Sequence, residues 1–236
     1  MNVAVLTTET IHHCLFVEKL IDVFPIKLLA IEQDQFTPPF KIDHPFEKQR
    51  EEYERDVSFN GKIPTLSDYC ESISVSNINN LNPNKIAKYS IDVIIVFGTS
   101  PIKNNLLALY DKRLVNLHGG DPELYRGLDS HLWAIYHKDY SSIVSTLHHI
   151  DSNIDTGPII SKSNINIFNN MELYQLRLEN TIACINMTIS ALLSYQRFGF
   201  FISAKQKTLG RYYSFIPRGL KNICINNFRN HTKKLT

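Results

Sequence analysis

Asn116 and His118 stand two apart in the run Val115-Asn116-Leu117-His118-Gly119-Gly120-Asp121-Pro122. On a strand, alternate side chains share a face, so this pair presents a carboxamide beside an imidazole. A carboxamide N–H can hold the charge of an oxyanion, and an imidazole can move a proton. Further on, Ile154-Asp155-Thr156-Gly157-Pro158 offers one carboxylate in a tight turn. Brought beside His118, Asp155 would fix the ring's tautomer and orientation and raise its proton affinity. No nucleophilic Ser or Cys accompanies the pair, and the chain has no G-x-S-x-G elbow. The nucleophile must then come with the substrate. An incoming amine fits, with acyl transfer as the reaction.

Other polar groups are set aside on physical grounds. His148 and His149 with Asp151 resemble a ligand set, but neighbours on a strand point to opposite faces and cannot share one ion. No metal is expected, and His148 is expected to support Asp155. Cys14, Cys70, Cys184 and Cys224 are far apart, which fits neither a zinc site nor a redox dithiol. A formal net charge of +2 gives no bulk basicity for nucleic acid. No G-x-G-x-x-G or Walker A motif supports dinucleotide or phosphate-loop binding. The N-terminus does not read as a signal peptide, and no apolar run approaches the roughly 20 residues of a membrane span. A cytoplasmic, soluble protein without a membrane partner is expected.

The elements that must position these residues read as α/β. Val3–Leu6 and Ile26–Ile31 are apolar runs flanking helical periodicity over 11–23, which Pro25 ends. Glu47–Asp56 is a mixed-charge run, read as a solvated helix held by i,i+4 ion pairs. Ile73–Asn77 is a short strand, and Pro83 opens a helix through Tyr89. Asp92–Gly98 is an apolar run without alternation, a strand covered on both faces. A turn and a short helix lead to a strand over Arg113–Leu117. Tyr125–Leu128 reads as a turn, followed by a helix with Trp133, a strand over Ile143–Ile150, another from Ile159, and a long amphipathic helix over Met171–Phe198. Residues 1–198 form the main body. Residues 199–236 form a short extension with a basic, aromatic strand and a closing helix. In open α/β sheets ligands bind beyond the carboxyl ends of the strands, which is where the turns after Phe97 and His118 fall.

The blocks Asn116-Leu117-His118, Arg126-Gly127 and Asp155-Thr156-Gly157 resemble the folate-dependent formyltransferases, which include methionyl-tRNA formyltransferase and glycinamide ribonucleotide transformylase. The resemblance covers residues 1–165 by pattern and is sharp over 92–160. It implies a Rossmann-like core with a mostly parallel sheet, and 10-formyltetrahydrofolate as formyl donor. Asn116, His118 and Asp155 would take the catalytic roles. The pterin would lie against Phe97, Gly98, Thr99 and Ile102 on one side and Ile150, Asp151 and Ile154 on the other. His148 matches a supporting histidine of the purine branch.

Both named enzymes usually carry His-Pro-Ser where this chain has His118-Gly119-Gly120-Asp121-Pro122. The longer block through Tyr136, and the tail Gly210-Arg211-Tyr212-Tyr213-Ser214-Phe215-Ile216-Pro217, are similar to bacterial sugar-nucleotide N-formyltransferases, which act on a 4-amino-4,6-dideoxyhexose on a nucleotide carrier for O-antigen and lipopolysaccharide synthesis. On that likeness Gly120, Asp121, Arg126, Arg211, Tyr212 and Tyr213 are the candidate acceptor residues. Lys205, Lys207 and Arg211 suit a diphosphate, and a tyrosine suits stacking on a base. The tyrosines equally suit packing or a homodimer contact. The competing readings are a methionyl-tRNA or glycinamide ribonucleotide formyltransferase, and a non-catalytic folate- or carbohydrate-binding protein on the same fold.

Overall fold

A computed structural model describes residues 1–34 and 37–236. It begins with β1 (Val3–Thr8), α1 (Ile11–Ile21) and β2 (Ile26–Glu32). β1 is buried along its whole length and runs two residues past the apolar stretch. Thr7 tolerates that burial because its hydroxyl donates to the Phe97 carbonyl at 2.8 Å. Thr10 caps α1 by accepting the His13 N–H. Next come α2 (Glu47–Phe59), β3 (Ser72–Val75), α3 (Pro83–Ala87), β4 (Val93–Phe97), α4 (Asn104–Leu109) and β5 (Leu114–His118). The second half has β6 (Tyr125–Gly127), α5 (Ser130–Tyr136), β7 (Val144–His149), β8 (Ile159–Asn164), α6 (Leu176–Phe198), β9 (Arg211–Tyr213) and α7 (Arg218–Thr232).

The sheet order is β3-β2-β1-β4-β5-β7-β8. Pairings from β3 to β5 are parallel, while β7 is antiparallel to both its neighbours. This is the mostly parallel α/β sheet expected from the apolar runs. Val115 and Leu117 point into the core shared with α1 and α6, whereas Leu114 joins the cluster under α3 and α4. By alternation, Asn116 and His118 face the α3–α4 side. The β5–β7 register sets Asn116 opposite His148 and His118 opposite Thr146.

Three elements differ from the sequence reading. α2 is not simply solvated: Arg50 and Glu54 are buried, and Arg177 of α6 grips Glu54 with two bonds of 2.6 Å. The charge pattern showed a polar helix but could not show a cation arriving from α6. The expected turn at Tyr125–Leu128 contains β6, which pairs in parallel with β9. A Cβ on Gly127, where φ is +93°, would sit 2.2 Å from the Tyr213 carbonyl, so only glycine permits this approach. The long helix starts at Leu176, after a 3-10 turn over Leu173–Gln175, and ends where Gly199 turns left-handed and donates to the Tyr195 carbonyl.

Residues 199–236 share a core with the body. Ile216, Cys224 and Phe228 are fully buried in one cluster with Leu132, Ile135, Met171 and Leu176. All four cysteines are unpaired. No helix among the described residues is long and apolar enough to cross a membrane.

Candidate active site

His118 is the last residue of β5 and is buried. Space around its ring is kept by glycine. A Cβ on Gly120 would lie 2.9 Å from His118 Nε2 and 2.7 Å from Ser130 Cβ. The turn is pinned by Thr146, whose hydroxyl donates to the Gly120 carbonyl at 2.8 Å. His118 Nε2 faces the Tyr125 carbonyl at 2.8 Å, so Nε2 carries the proton. Its Nδ1 faces Asp155 Oδ2 at 3.4 Å.

Asp155 reaches this place from the loop after β7. Its other oxygen, Oδ1, lies 3.5 Å from His148 Nε2, so one carboxylate addresses both rings. The same His148 nitrogen is 3.2 Å from Asn116 Nδ2, and His148 Nδ1 donates to the His149 carbonyl at 2.8 Å. His149 turns to the opposite face, against Phe201. Asp155 has φ +55°, a left-handed conformation that Asp tolerates better than most residues. Gly127 N–H donates to its Oδ2 at 2.7 Å. The β6–β9 pairing therefore sets the carboxylate's position.

The electrostatics match the geometry. Burial alone would raise the Asp155 carboxyl, but His118, His148 and the Gly127 N–H together outweigh it and hold it at about 2. Burial pushes His118 below the ordinary histidine value; Asp155, the Tyr125 carbonyl and Asp121 pull it up, and His148 pushes it down further. His131, whose ring lies over Gly119, is driven by burial to about 4. His118 is thus a neutral ring near pH 7, with its free lone pair turned to a carboxylate that favours protonation there.

The candidate donor site has two walls. On one, Gly98 has φ +79°, and a Cβ there would lie 2.6 Å from the His13 ring. Phe97 is a core side chain, 4.5 Å from His13 and 5.2 Å from Phe16, so it offers a ligand its backbone only. Thr99 donates to the Ser100 carbonyl. Glu32 at the end of β2 fixes this loop, accepting from Ser100 N–H at 2.6 Å and Ile78 N–H at 2.8 Å. Sequence pattern alone gave Glu32 no role; its only signal was a carboxylate closing an apolar strand. On the other wall, Ile150 packs on the same cluster as Ile102. Asp151 accepts from Asn153 N–H and the Thr156 hydroxyl, and Ile154 is partly exposed.

The candidate acceptor residues divide. Tyr212 is 48% exposed and lays its ring edge against Gly127, next to Asp155. Arg211 is exposed, with its guanidinium over the Tyr213 ring. Tyr213 itself stacks on Tyr125 at 5.5 Å and leans on Trp133 at 5.0 Å. Asp121 is bound by Lys162 at 2.7 Å. Arg126 donates to the Gly210 carbonyl at 2.6 Å and to the Ile154 carbonyl at 3.2 Å. A cavity of about 380 Å³ lies against the same turn, between Asp151, Thr156 and Pro158 and the tail segment Lys205 to Leu209.

A Rossmann-like sheet gathers a carboxamide, two imidazoles and a carboxylate at its carboxyl edge, an arrangement chemically suited to acyl transfer. Residues 43–186 match the family described as Formyl transferase, more than half of the chain, and the chain belongs to that family. Solved structures with TM-scores above 0.5 share the fold. A 4-N formyltransferase from Francisella tularensis is 15% identical with a TM-score of 0.58, covering 90% of this chain and 76% of its own. Glycinamide ribonucleotide transformylase 1 from Symbiobacterium toebii is 11% identical with a TM-score of 0.60, covering 88% and 94%. The formyltransferase PseJ from Anoxybacillus kamchatkensis, solved with UDP-4,6-dideoxy-4-formamido-L-AltNAc and tetrahydrofolate, is 22% identical with a TM-score of 0.46, covering 80% and 85%. No curated protein matches the chain in sequence.

Proposed function

We propose that this formyltransferase moves the formyl group of 10-formyltetrahydrofolate to the amine of a nucleotide-linked 4-amino-4,6-dideoxy sugar, in the cytoplasm, for O-antigen and lipopolysaccharide synthesis. The observation that carries the chemistry is the meeting of Asn116, His118 and Asp155 at the end of β5, with Asp155 3.4 Å from the His118 ring. The amine lone pair forms the new C–N bond, and the carbonyl electrons move to oxygen. Asn116 N–H holds that oxyanion. His118 takes the proton lost by the amine, and Asp155 stabilises the imidazolium. When the tetrahedral intermediate collapses, the bond to folate N10 breaks and N10 receives the proton. The products are a formamide and tetrahydrofolate. The donor site suits a flat heterocycle, since Ile102 and Ile150 give it apolar side chains, while the space beside Gly98 is taken by the His13 ring.

The choice of acceptor rests on the tail. Lys205 and Lys207 line the cavity beside the Asp155 turn, and Arg211 and exposed Tyr212 follow shortly after in the chain, on β9. Cations suit a diphosphate and an exposed ring suits a base. The deciding assay gives purified enzyme 10-formyltetrahydrofolate and one acceptor at a time: UDP- or dTDP-linked 4-amino-4,6-dideoxyhexoses, charged initiator tRNA, or glycinamide ribonucleotide. Formamide formation on a nucleotide sugar alone is expected. Turnover only on tRNA or glycinamide ribonucleotide would move the protein to the other branches, and binding without turnover would make it a ligand-binding relative.

A further inference from the structure

Asp155 is held by its side chain through Gly127, but its backbone is held by a residue from far along the chain. Gln206 Nε2 donates to the Asp155 carbonyl at 2.8 Å and to the Gly157 carbonyl at 3.0 Å. A primary amide has two hydrogens, and each has one acceptor here. Because both neighbours are carbonyls, the nitrogen must be the atom facing the turn. The amide oxygen is then buried without a donor. Leaving a buried acceptor unpaired costs about 1–3 kcal/mol, so the double donation is kept against a penalty. The turn it grips contains a non-glycine residue with φ +55°. Such a conformation persists only where its surroundings impose it. Ala204, two residues before Gln206, exchanges a pair of backbone bonds with Ile159 at 2.8 Å each, which anchors the segment to the sheet beside the turn. Arg126 adds a second clasp from Ile154 to Gly210.

We infer that Gln206 is a positioning residue for formyl transfer: it locks the left-handed turn so that the Asp155 carboxylate stays in register with His118. The inference rests on the proposed pairing of Asp155 with His118 and extends it to a residue that touches neither reacting group. The other titratable groups facing His118 are His148 from β7, His131 from α5 and Asp121 from the turn after β5, and none of them contacts Gln206.

Two variants test it, Gln206→Met, which keeps length without donors, and Gln206→Glu, which keeps shape but turns an acceptor toward two carbonyls. Expected for both is a kcat lowered on the order of 10- to 100-fold, with KM for donor and acceptor within about twofold, because misplacement of a reacting group by a fraction of an ångström acts on the chemical step. The His118 ring, followed by NMR in the full chain, should titrate about one pH unit lower in Gln206→Met, since a displaced carboxylate supports the imidazolium less. In Gln206→Glu, kcat relative to the wild type at the same pH should recover partly as the pH falls and the new carboxyl gains a hydrogen to donate. An unchanged kcat with an unmoved His118 titration would overturn the inference. So would a kcat loss that tracks lost thermal stability while the titration stays put. The NMR readout needs no turnover, so a shifted titration in a chain that formylates no amine would sink the proposed reaction and leave the positioning role standing.

Discussion

One carboxylate serving two rings makes Asp155 the most consequential side chain in the site. Its pKa is depressed, so its stabilising contribution is complete above about pH 4 and is lost as the pH falls toward about 2. A drop from the ordinary 3.8 to about 2 in a buried group corresponds to about 2 kcal/mol. Asp155→Asn keeps an acceptor for Gly127 N–H while removing the charge. Urea unfolding from pH 7 down to pH 3 should show the variant less stable at neutral pH, with the gap closing as the acid limit is approached. A gap that stays constant with pH would show that the carboxylate's charge does not set it. His118 bears on rate more than on stability. His118→Ala should lower kcat on the order of 100-fold or more in steady-state assays, with modest change in KM, since it removes the proposed proton acceptor of the chemical step. Wild-type kcat should fall as acid protonates His118, with the acid limb of the profile below the ordinary histidine value.

What the amino-acid sequence reveals here depends on distance along the chain. The strand over Val93–Phe97 is plain because five buried residues in a row leave no other reading. The Asn116–His118 pair is plain because the period of a strand is short. Asp155 could be nominated, but its meeting with His118 depends on β7 reversing against β5, which is a tertiary fact. β6 has three residues, and a run that short carries no periodicity, so it read as a turn. Gln206 was invisible because a glutamine among lysines in a tail looks like surface. The Glu54–Arg177 clasp escaped for the same reason, since its members come from α2 and α6. Glu54 is 0% exposed, so deleting its cation strands a buried charge. Arg177→Leu should therefore destabilise the protein by about 3–5 kcal/mol in chemical denaturation, whereas the double variant Arg177→Leu with Glu54→Leu should recover much of the loss. Equal loss in both would show that packing at α2–α6, and not the unpaired carboxylate, sets the cost.

Across the molecule, the tail closes the site and the core at once. β9 supplies the partner that fixes Gly127, Gln206 grips the Asp155 turn, and α7 fills the cluster around Leu132 and Ile135 with Phe228 and Cys224. A segment that merely hung from residue 198 would leave the Asp155 turn intact when its own packing failed. Here one continuous segment serves both ends, so loss of α7 packing should be felt at the carboxylate. Phe228→Ala removes a fully buried ring of the core cluster and should cost about 3–5 kcal/mol. Unfolding followed by circular dichroism and by the fluorescence of Trp133, the chain's one tryptophan, should give a single transition at lower denaturant for both probes. Trp133 lies between the two regions, with its indole N–H on the Ser214 carbonyl and its ring against Tyr213. Two separated transitions, the first seen by the tryptophan alone, would mean that residues 199–236 open independently and that the active site is assembled on a body able to stand without them.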